Sequence, residues 1–170
     1  MRLYHTGLSV IQTPDIRHGR KNADFGPGFY LTPDKEFAYR WAEEGAVINE
    51  YELETEGLDI CRLNQDMDWF RYIFSNRRGK DTLNADVVIG PIANDTIFDT
   101  LGILTSGYLE EDKALRLLKI GPAYTQAAVK TDRAAARLHW IGSETADSSK
   151  SNREEQEAYM EQLASELMKM

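Results

Sequence analysis

The sequence predicts an α+β fold, on three observations. Short apolar segments of strand length are mixed with helices of unequal length. They do not alternate regularly, as a doubly wound parallel sheet demands. The 170 residues, 42% of them hydrophobic, suffice for one domain with a real core plus an appendage.

Residues 2–5, Arg-Leu-Tyr-His, read as a short strand that Thr6 and Gly7 end. Residues 13–25 are polar with little periodicity, which marks a long functional loop or a weak helix rather than a core element. Gly26-Pro27-Gly28 leads into a strand at 29–31. Thr32-Pro33 reads as a helix start, threonine as N-cap and proline in the first helical position, with Phe37, Ala38, Trp41 and Ala42 at helical spacing until Gly45. Residues 46–53 form a strand with Tyr51 and Leu53 on one face. Residues 66–77 form a helix with Met67, Phe70, Ile73 and Phe74 inward, and 85–90 a buried strand. Helices are expected at 95–104 and 110–119, a strand at 124–130, a helical turn at 132–137 and a last strand at 138–141.

Composition shifts after Gly142. The domain is placed at 1–142, a Ser/Asp/Lys-rich linker at 143–151 and an amphipathic helix at 152–170. Asn152 and Glu155 make a capping-box-like start, and Tyr159, Leu163 and Leu167 share one face. That stripe either packs back on the domain or docks on a partner or a second copy.

The net charge is −8, split evenly: seven acids against three bases from Ser143 onward, and 21 against 17 before it. Such acidity argues against non-specific binding to a polyanion, although Arg17, Arg20 and Lys21 form a local basic patch. The single Cys61 excludes an intramolecular disulfide framework and fits a reducing, cytoplasmic compartment. The start lacks the apolar core of a secretory signal, no run reaches the roughly 18 apolar residues of a membrane span, and no membrane partner is expected.

The most informative stretch runs from Asn22 to Thr32, Asn-Ala-Asp-Phe-Gly-Pro-Gly-Phe-Tyr-Leu-Thr. Two glycines around a proline let backbone approach a ligand, or simply form a turn beside two core aromatics. Strand neighbours point to opposite faces, so one of Phe29 and Tyr30 enters the core while the other is free to stack on a flat ring. His5, at a strand end before small residues, is either a donor and acceptor for sugar hydroxyls or a satisfied structural histidine. His5, His18 and His139 show no metal-ligand spacing, so no metal is expected. There is no P-loop, GxGxxG or GxSxG motif.

Several of these segments together resemble a bacterial domain-of-unknown-function family placed in the ADP-ribosyltransferase superfamily. They are Leu3-Tyr4-His5-Thr6-Gly7, the run from Arg20 to Thr32, Ala38-Tyr39-Arg40-Trp41-Ala42, Ser75-Asn76-Arg77-Arg78, the run from Asp86 to Asp95, and Thr125-Gln126-Ala127-Ala128-Val129-Lys130-Thr131. The resemblance covers residues 3–141. It implies a split, bent mixed β-sheet flanked by helices, with NAD in the cleft between its halves. By the superfamily's histidine-tyrosine-glutamate pattern, His5 orients the nicotinamide ribose, Thr6 and Gly7 meet the carboxamide with backbone groups, and Tyr30 stacks on the nicotinamide. Phe25 and Gly26 line the cleft wall and Asn22 and Asp24 its mouth, while Arg17, Arg20 and Lys21 either supply a partner for the pyrophosphate or form a solvated basic loop.

The third position departs from the pattern, because Gln126 stands where glutamate is usual. An amide accepts a hydrogen bond but is neither a general base nor a counter-charge. The acid then comes from elsewhere, with Asp95 preferred over Asp24, or transfer is altered. Asp95 reads equally as the cap of a helix starting at Thr96. The function implied is an NAD-dependent ADP-ribosyltransferase acting on a protein or nucleic acid, in the manner of a toxin or phage-defence effector, with an antitoxin-like partner for the tail. The alternatives are an NAD glycohydrolase and an NAD-binding or interaction module without transfer.

Overall fold

The computed structural model describes residues 1–40, 42–93, 110–146 and 153–169. They form seven strands and five helices: β1 (Arg2–Gly7), β2 (Phe29–Leu31), α1 (Lys35–Arg40), β3 (Val47–Leu53), β4 (Ile60–Arg62), α2 (Met67–Arg77), β5 (Val87–Pro91), α3 (Glu111–Leu118), β6 (Thr125–Val129), α4 (Asp132–Ala135), β7 (Leu138–Thr145) and α5 (Arg153–Leu167). The strands make two sheets, β1-β3-β7 and β2-β6-β5-β4. All pairings are antiparallel except β4 with β5. One isolated bridge, Tyr4 with Thr32, links the sheets through two backbone hydrogen bonds of 2.8 Å.

The period-2 pattern of each strand decides the layering. Leu3, Tyr51 and Leu53 from the first sheet meet Phe29, Leu31, Val87, Ile89, Ala127 and Val129 from the second in one apolar core between the sheets. The outer face of the second sheet, Val88 and Ala128, packs on Trp69, Phe70, Tyr72 and Ile73 of α2 and on Ala114, Leu117 and Leu118 of α3. The outer face of the first sheet, at Ile48, carries Ala38 of α1. β6 and β5 are therefore apolar on both faces, which explains the unbroken Ala-Ala-Val and Val-Val-Ile runs.

Several boundaries differ from the expectation, for local reasons. Thr32 is no helix cap: it bridges Tyr4, and its hydroxyl accepts from the Asp34 N–H at 3.1 Å. Asp34 caps α1 instead, its Oδ1 taking the Phe37 N–H at 3.2 Å. α1 ends at Arg40, and the neighbouring Trp41 lies outside the described residues. β7 runs three residues into the stretch expected as linker, because Ser143, Glu144 and Thr145 continue the ladder opposite Asn49, Ile48 and Val47. β4 had no expectation, since three residues show no alternation until β5 templates them. The helix expected at 95–104, and Asp95 with it, lies outside the described residues, as does Asn152.

The tail packs back on the body. In α5, Leu163 is buried in the core of α2 and α3, with Tyr159 against the same cluster. The Tyr159 ring lies on Gly121, where any side chain would collide with it. Tyr159 and Leu163 thus pack within the chain, the first of the two fates expected for that stripe. No helix among the described residues is long and apolar enough to cross a membrane.

Candidate functional site

The site is built at the seam where the two sheets part beyond the Tyr4–Thr32 bridge. Thr32 is the joint: its backbone meets Tyr4 of β1, and its hydroxyl donates to the Thr125 carbonyl at 2.8 Å at the start of β6. His5 follows the bridge by one residue. Its Nδ1 hydrogen-bonds the Tyr30 carbonyl at 2.7 Å, and its ring stacks on Phe29 at 4.4 Å. A carbonyl only accepts, so Nδ1 carries the proton and Nε2 is left as an acceptor. Burial pushes the His5 pKa below its ordinary value, against the opposing pull of the Tyr30 carbonyl, so the ring is neutral. A Cβ on Gly7 would come within 3.2 Å of Nε2, so a glycine there keeps that nitrogen approachable.

Backbone groups alternate sides along a strand. Tyr4 turns its N–H and C=O away from β3 toward Thr32, so Thr6 presents its own pair on the same side, while Gly7, opposite Val47, turns inward to β3. Of the two residues expected to read a carboxamide by backbone, Thr6 is therefore the one suitably placed. Its hydroxyl is already committed to the Ala38 carbonyl at 2.7 Å. The loop after β1 is pinned by Asn49, fully buried on β3, which accepts from the Ile11 N–H at 2.9 Å and donates to the Ser9 carbonyl at 3.0 Å. Tyr51 adds a bond to the Ile11 carbonyl at 2.6 Å.

Tyr30 departs from the expected picture. Phe29 and Leu31 point into the core between the sheets, so Tyr30 points to the helical side, away from the face on which His5 stacks. Its hydroxyl accepts from the Phe25 N–H at 2.9 Å and donates to the Gly26 carbonyl at 2.7 Å. Burial holds its pKa far above the ordinary value, so it stays a phenol. Tyr30 clamps the Phe25–Gly26 turn through its hydroxyl, and its ring is half-buried against the helical core. The same turn is held by Lys130, which donates to the Phe25 carbonyl, to Asp81 and, at 3.1 Å, to the Tyr72 hydroxyl. Gly26 has φ 76°, and a Cβ there would meet Asn76 Oδ1 at 2.8 Å, so only glycine fits.

Asp24 does not line a mouth. It is buried, and its carboxylate takes Arg77 Nε at 2.8 Å, the Ala93 N–H at 2.9 Å and Gln126 Nε2 at 3.1 Å. Arg77 Nη2 lies 2.6 Å from the same carboxylate, with the two side chains 9% and 8% exposed. Asn76 donates to the Asp24 carbonyl at 3.1 Å. Phe25 and Gly26 are likewise buried, packed behind β2 and β6. Asn22 and Arg20 are exposed on the loop, and the exposed Arg17 is paired with Asp132 at 2.7 Å.

The structure thus brings Tyr30, Asp24, Phe25, Gly26 and Gln126 together behind β2, and His5 with Thr6 at the seam in front of it. Asp95 lies outside the described residues. Arg77 and Asn49 were not singled out as site residues, because only their long-range partners reveal their roles. Among the described residues, no group of three or more His, Cys, Asp or Glu side chains is placed to hold a metal ion. A family model described as "Protein of unknown function (DUF3990)" matches residues 1–140. No curated protein and no solved structure matches the chain.

Proposed function

The chain belongs to this DUF3990 family, and from that premise we propose that it is an NAD-dependent ADP-ribosyltransferase acting on a protein or nucleic-acid acceptor, as a toxin or defence effector would. The observation that carries the reading is the 2.7 Å bond from His5 Nδ1 to the Tyr30 carbonyl, beside the Tyr4–Thr32 bridge that joins the two sheets. It gives a neutral imidazole with Nε2 directed as an acceptor, suited to a ribose hydroxyl. One residue on, the Thr6 N–H and C=O make a donor and acceptor pair, which matches a primary carboxamide. The two-sheet architecture and the motifs quoted above fit the split, bent sheet of the ADP-ribosyltransferase superfamily.

In the proposed reaction the bond between nicotinamide and ribose breaks, and its electron pair leaves with nicotinamide. The acceptor's nucleophilic atom then bonds to the same sugar carbon. His5 and Thr6 orient the two sides of the breaking bond, which is the larger part of the task because nicotinamide is already a good leaving group. Arg20 and Lys21 on the exposed loop are the cations nearest in sequence for a pyrophosphate. With water as acceptor, the same chemistry is NAD hydrolysis.

One observation favours a second reading, an NAD-binding module without transfer. The described part of the site offers Gln126 rather than a free carboxylate, and Asp24 is locked to Arg77. Incubation with NAD labelled in its nicotinamide and adenylate halves separates these readings. Transfer is expected to release nicotinamide and label a macromolecule, and His5→Ala to abolish both. NAD binding by calorimetry without nicotinamide release would select the binding module. No binding by the folded protein would reject both.

A further inference from the structure

We propose that Asn49 and Tyr51 of β3 are positioning residues for His5: they clamp the backbone N–H and C=O of Ile11, seat its side chain beside His5 Nε2, and so wall the hollow over Gly7 into a pocket for a sugar hydroxyl. The ligand half of this statement rests on the NAD reading above; the seating of Ile11 beside His5 does not.

The chain leaves β1 at Gly7, and from 8 to 14 it makes no backbone-to-backbone hydrogen bond beyond the strand ladder among the described residues. Side chains of β3 set its course instead. Asn49 Oδ1 accepts the Ile11 N–H at 2.9 Å, and its amide nitrogen donates to the Ser9 carbonyl at 3.0 Å. The Tyr51 hydroxyl donates to the Ile11 carbonyl at 2.6 Å. Both clamping residues are fully buried. Holding the N–H and the C=O of one residue fixes the direction in which its side chain leaves the backbone. The residue types leave that direction open, because Leu8, Val10 and Ile11 are all aliphatic. In the fold Leu8 and Val10 are 84% and 51% exposed, while Ile11 turns inward against the core between the sheets.

Ile11 arrives beside the ring nitrogen that Tyr30 leaves as an acceptor. Residues directly opposite in an antiparallel ladder share a face, so His5 and Gly7 stand on the same side of the sheet as Asn49 and Tyr51. A Cβ on Gly7 would lie 3.2 Å from His5 Nε2, 3.4 Å from its Cδ2 and 3.8 Å from Ile11 Cδ1. Glycine thus leaves a small hollow, with the imidazole edge on one wall and a methyl group on another. Phe29 covers a face of the ring at 4.4 Å. A hydroxyl entering the hollow donates to Nε2, and the methyl keeps away water that would compete for that bond. Phe29, Gly7, Asn49 and Ile11, which surround the ring, carry no charge, so burial rather than an ion pair keeps it neutral.

The test follows the imidazole NMR signals of the full chain between about pH 4.5 and 8. It compares wild type, Ile11→Ala, Asn49→Ala, Tyr51→Phe and the doubles that add Ile11→Ala to each of the other two. His5→Asn assigns the signal, and the exposed His18 and His139 serve as internal controls. Ile11→Ala is expected to raise the His5 midpoint toward its ordinary value by about 0.5 pH or more, because it admits water to Nε2. Asn49→Ala and Tyr51→Phe should raise it in the same direction. Neither double should exceed the larger of its singles by more than about 0.2 pH, since all act through Ile11. His18 and His139 should not move. A mere loss of stability leaves the His5 midpoint of the folded protein where it is. Tyr51→Phe keeps the ring, so it carries the series if Asn49→Ala does not fold. A His5 midpoint unmoved by any single variant that folds, or shifts that add in the doubles, overturns the seating. In calorimetric titration with NAD, Ile11→Ala should weaken binding about fivefold, and Gly7→Ala, which fills the hollow, at least about tenfold. Gly7 has no positive φ, so alanine is allowed there. Wild-type NAD affinity in either variant overturns the ligand half. If the wild type binds no NAD, the functional reading and the ligand half fail together, while the imidazole series still decides whether Ile11 is seated beside His5.

Discussion

The two sides of the β2 strand handle polar atoms in opposite ways. In front, at the seam, His5 uses one ring nitrogen on the Tyr30 carbonyl and keeps Nε2 as an acceptor, and Thr6 turns a backbone donor and acceptor outward. Behind, Asp24, Arg77, Gln126, Tyr30, Tyr72, Lys130 and Asp81 answer one another across five segments of chain. The proposed recognition falls on the side whose groups are half satisfied. The other side supplies rigidity, since its buried carboxylate, guanidinium, amide and hydroxyl groups are spent on one another. Tyr30, which the motif alone assigns to recognition, falls on the rigid side.

Breaking the rigid side should have the largest effect. Arg77→Ala removes a cation from the buried Asp24 carboxylate and should cost about 3–5 kcal/mol in urea-induced unfolding. A loss below about 1 kcal/mol would mean that the network is not closed as described. Next comes Tyr30→Phe, which keeps the ring and deletes the clamp. It leaves the Phe25 N–H and the Gly26 carbonyl short of a partner and should cost about 1–3 kcal/mol. NAD titration of the same variant sharpens the comparison. Binding that falls no further than loosening of the turn accounts for places Tyr30 behind the site. An unchanged stability with lost binding returns it to the front.

The smallest effect is expected at His5. Its pKa is lowered in the fold, so the neutral ring contributes stability that is fully present above about pH 6.5 and is lost as pH falls below it. His5→Asn should remove that part of the pH dependence and leave stability at pH 8 nearly unchanged, as read from melting curves between pH 5 and 8. A variant that unfolds at pH 8 would make His5 a structural residue and move recognition elsewhere. At lower pH a separate loss is expected as pH falls below about 4, where Asp86 takes a proton in the unfolded chain before it does in the fold. Its side-chain bonds to Arg133, then Thr131 and the Asp59 N–H, hold its pKa well below the carboxylate range. Asp86→Asn should remove this loss.

Much of the fold was legible because its signals are local. Asp66 as N-cap, with its side chain taking the Asp68 and Trp69 N–H groups, and the apolar stripe after it mark α2 within a residue. The β-branched run at 87–89 and the alternation of β3 mark their strands. The site was legible only as residue types in order. His5 and Gln126 stand out by pattern, yet nothing local says that Tyr30 turns to the helices or that Thr32 bridges β1 instead of capping α1. β4 has no signal of its own.

By itself, then, the sequence determined where the periodic elements lie, where the turns need glycine and which side chains are able to do chemistry. Each of those depends on neighbours a few residues away. Only the tertiary structure decided which of those side chains are spent on one another. The partners of Asp24 lie 53, 69 and 102 residues along the chain, at Arg77, Ala93 and Gln126. A buried charge is tolerated only where such distant groups converge, and no local pattern records that convergence.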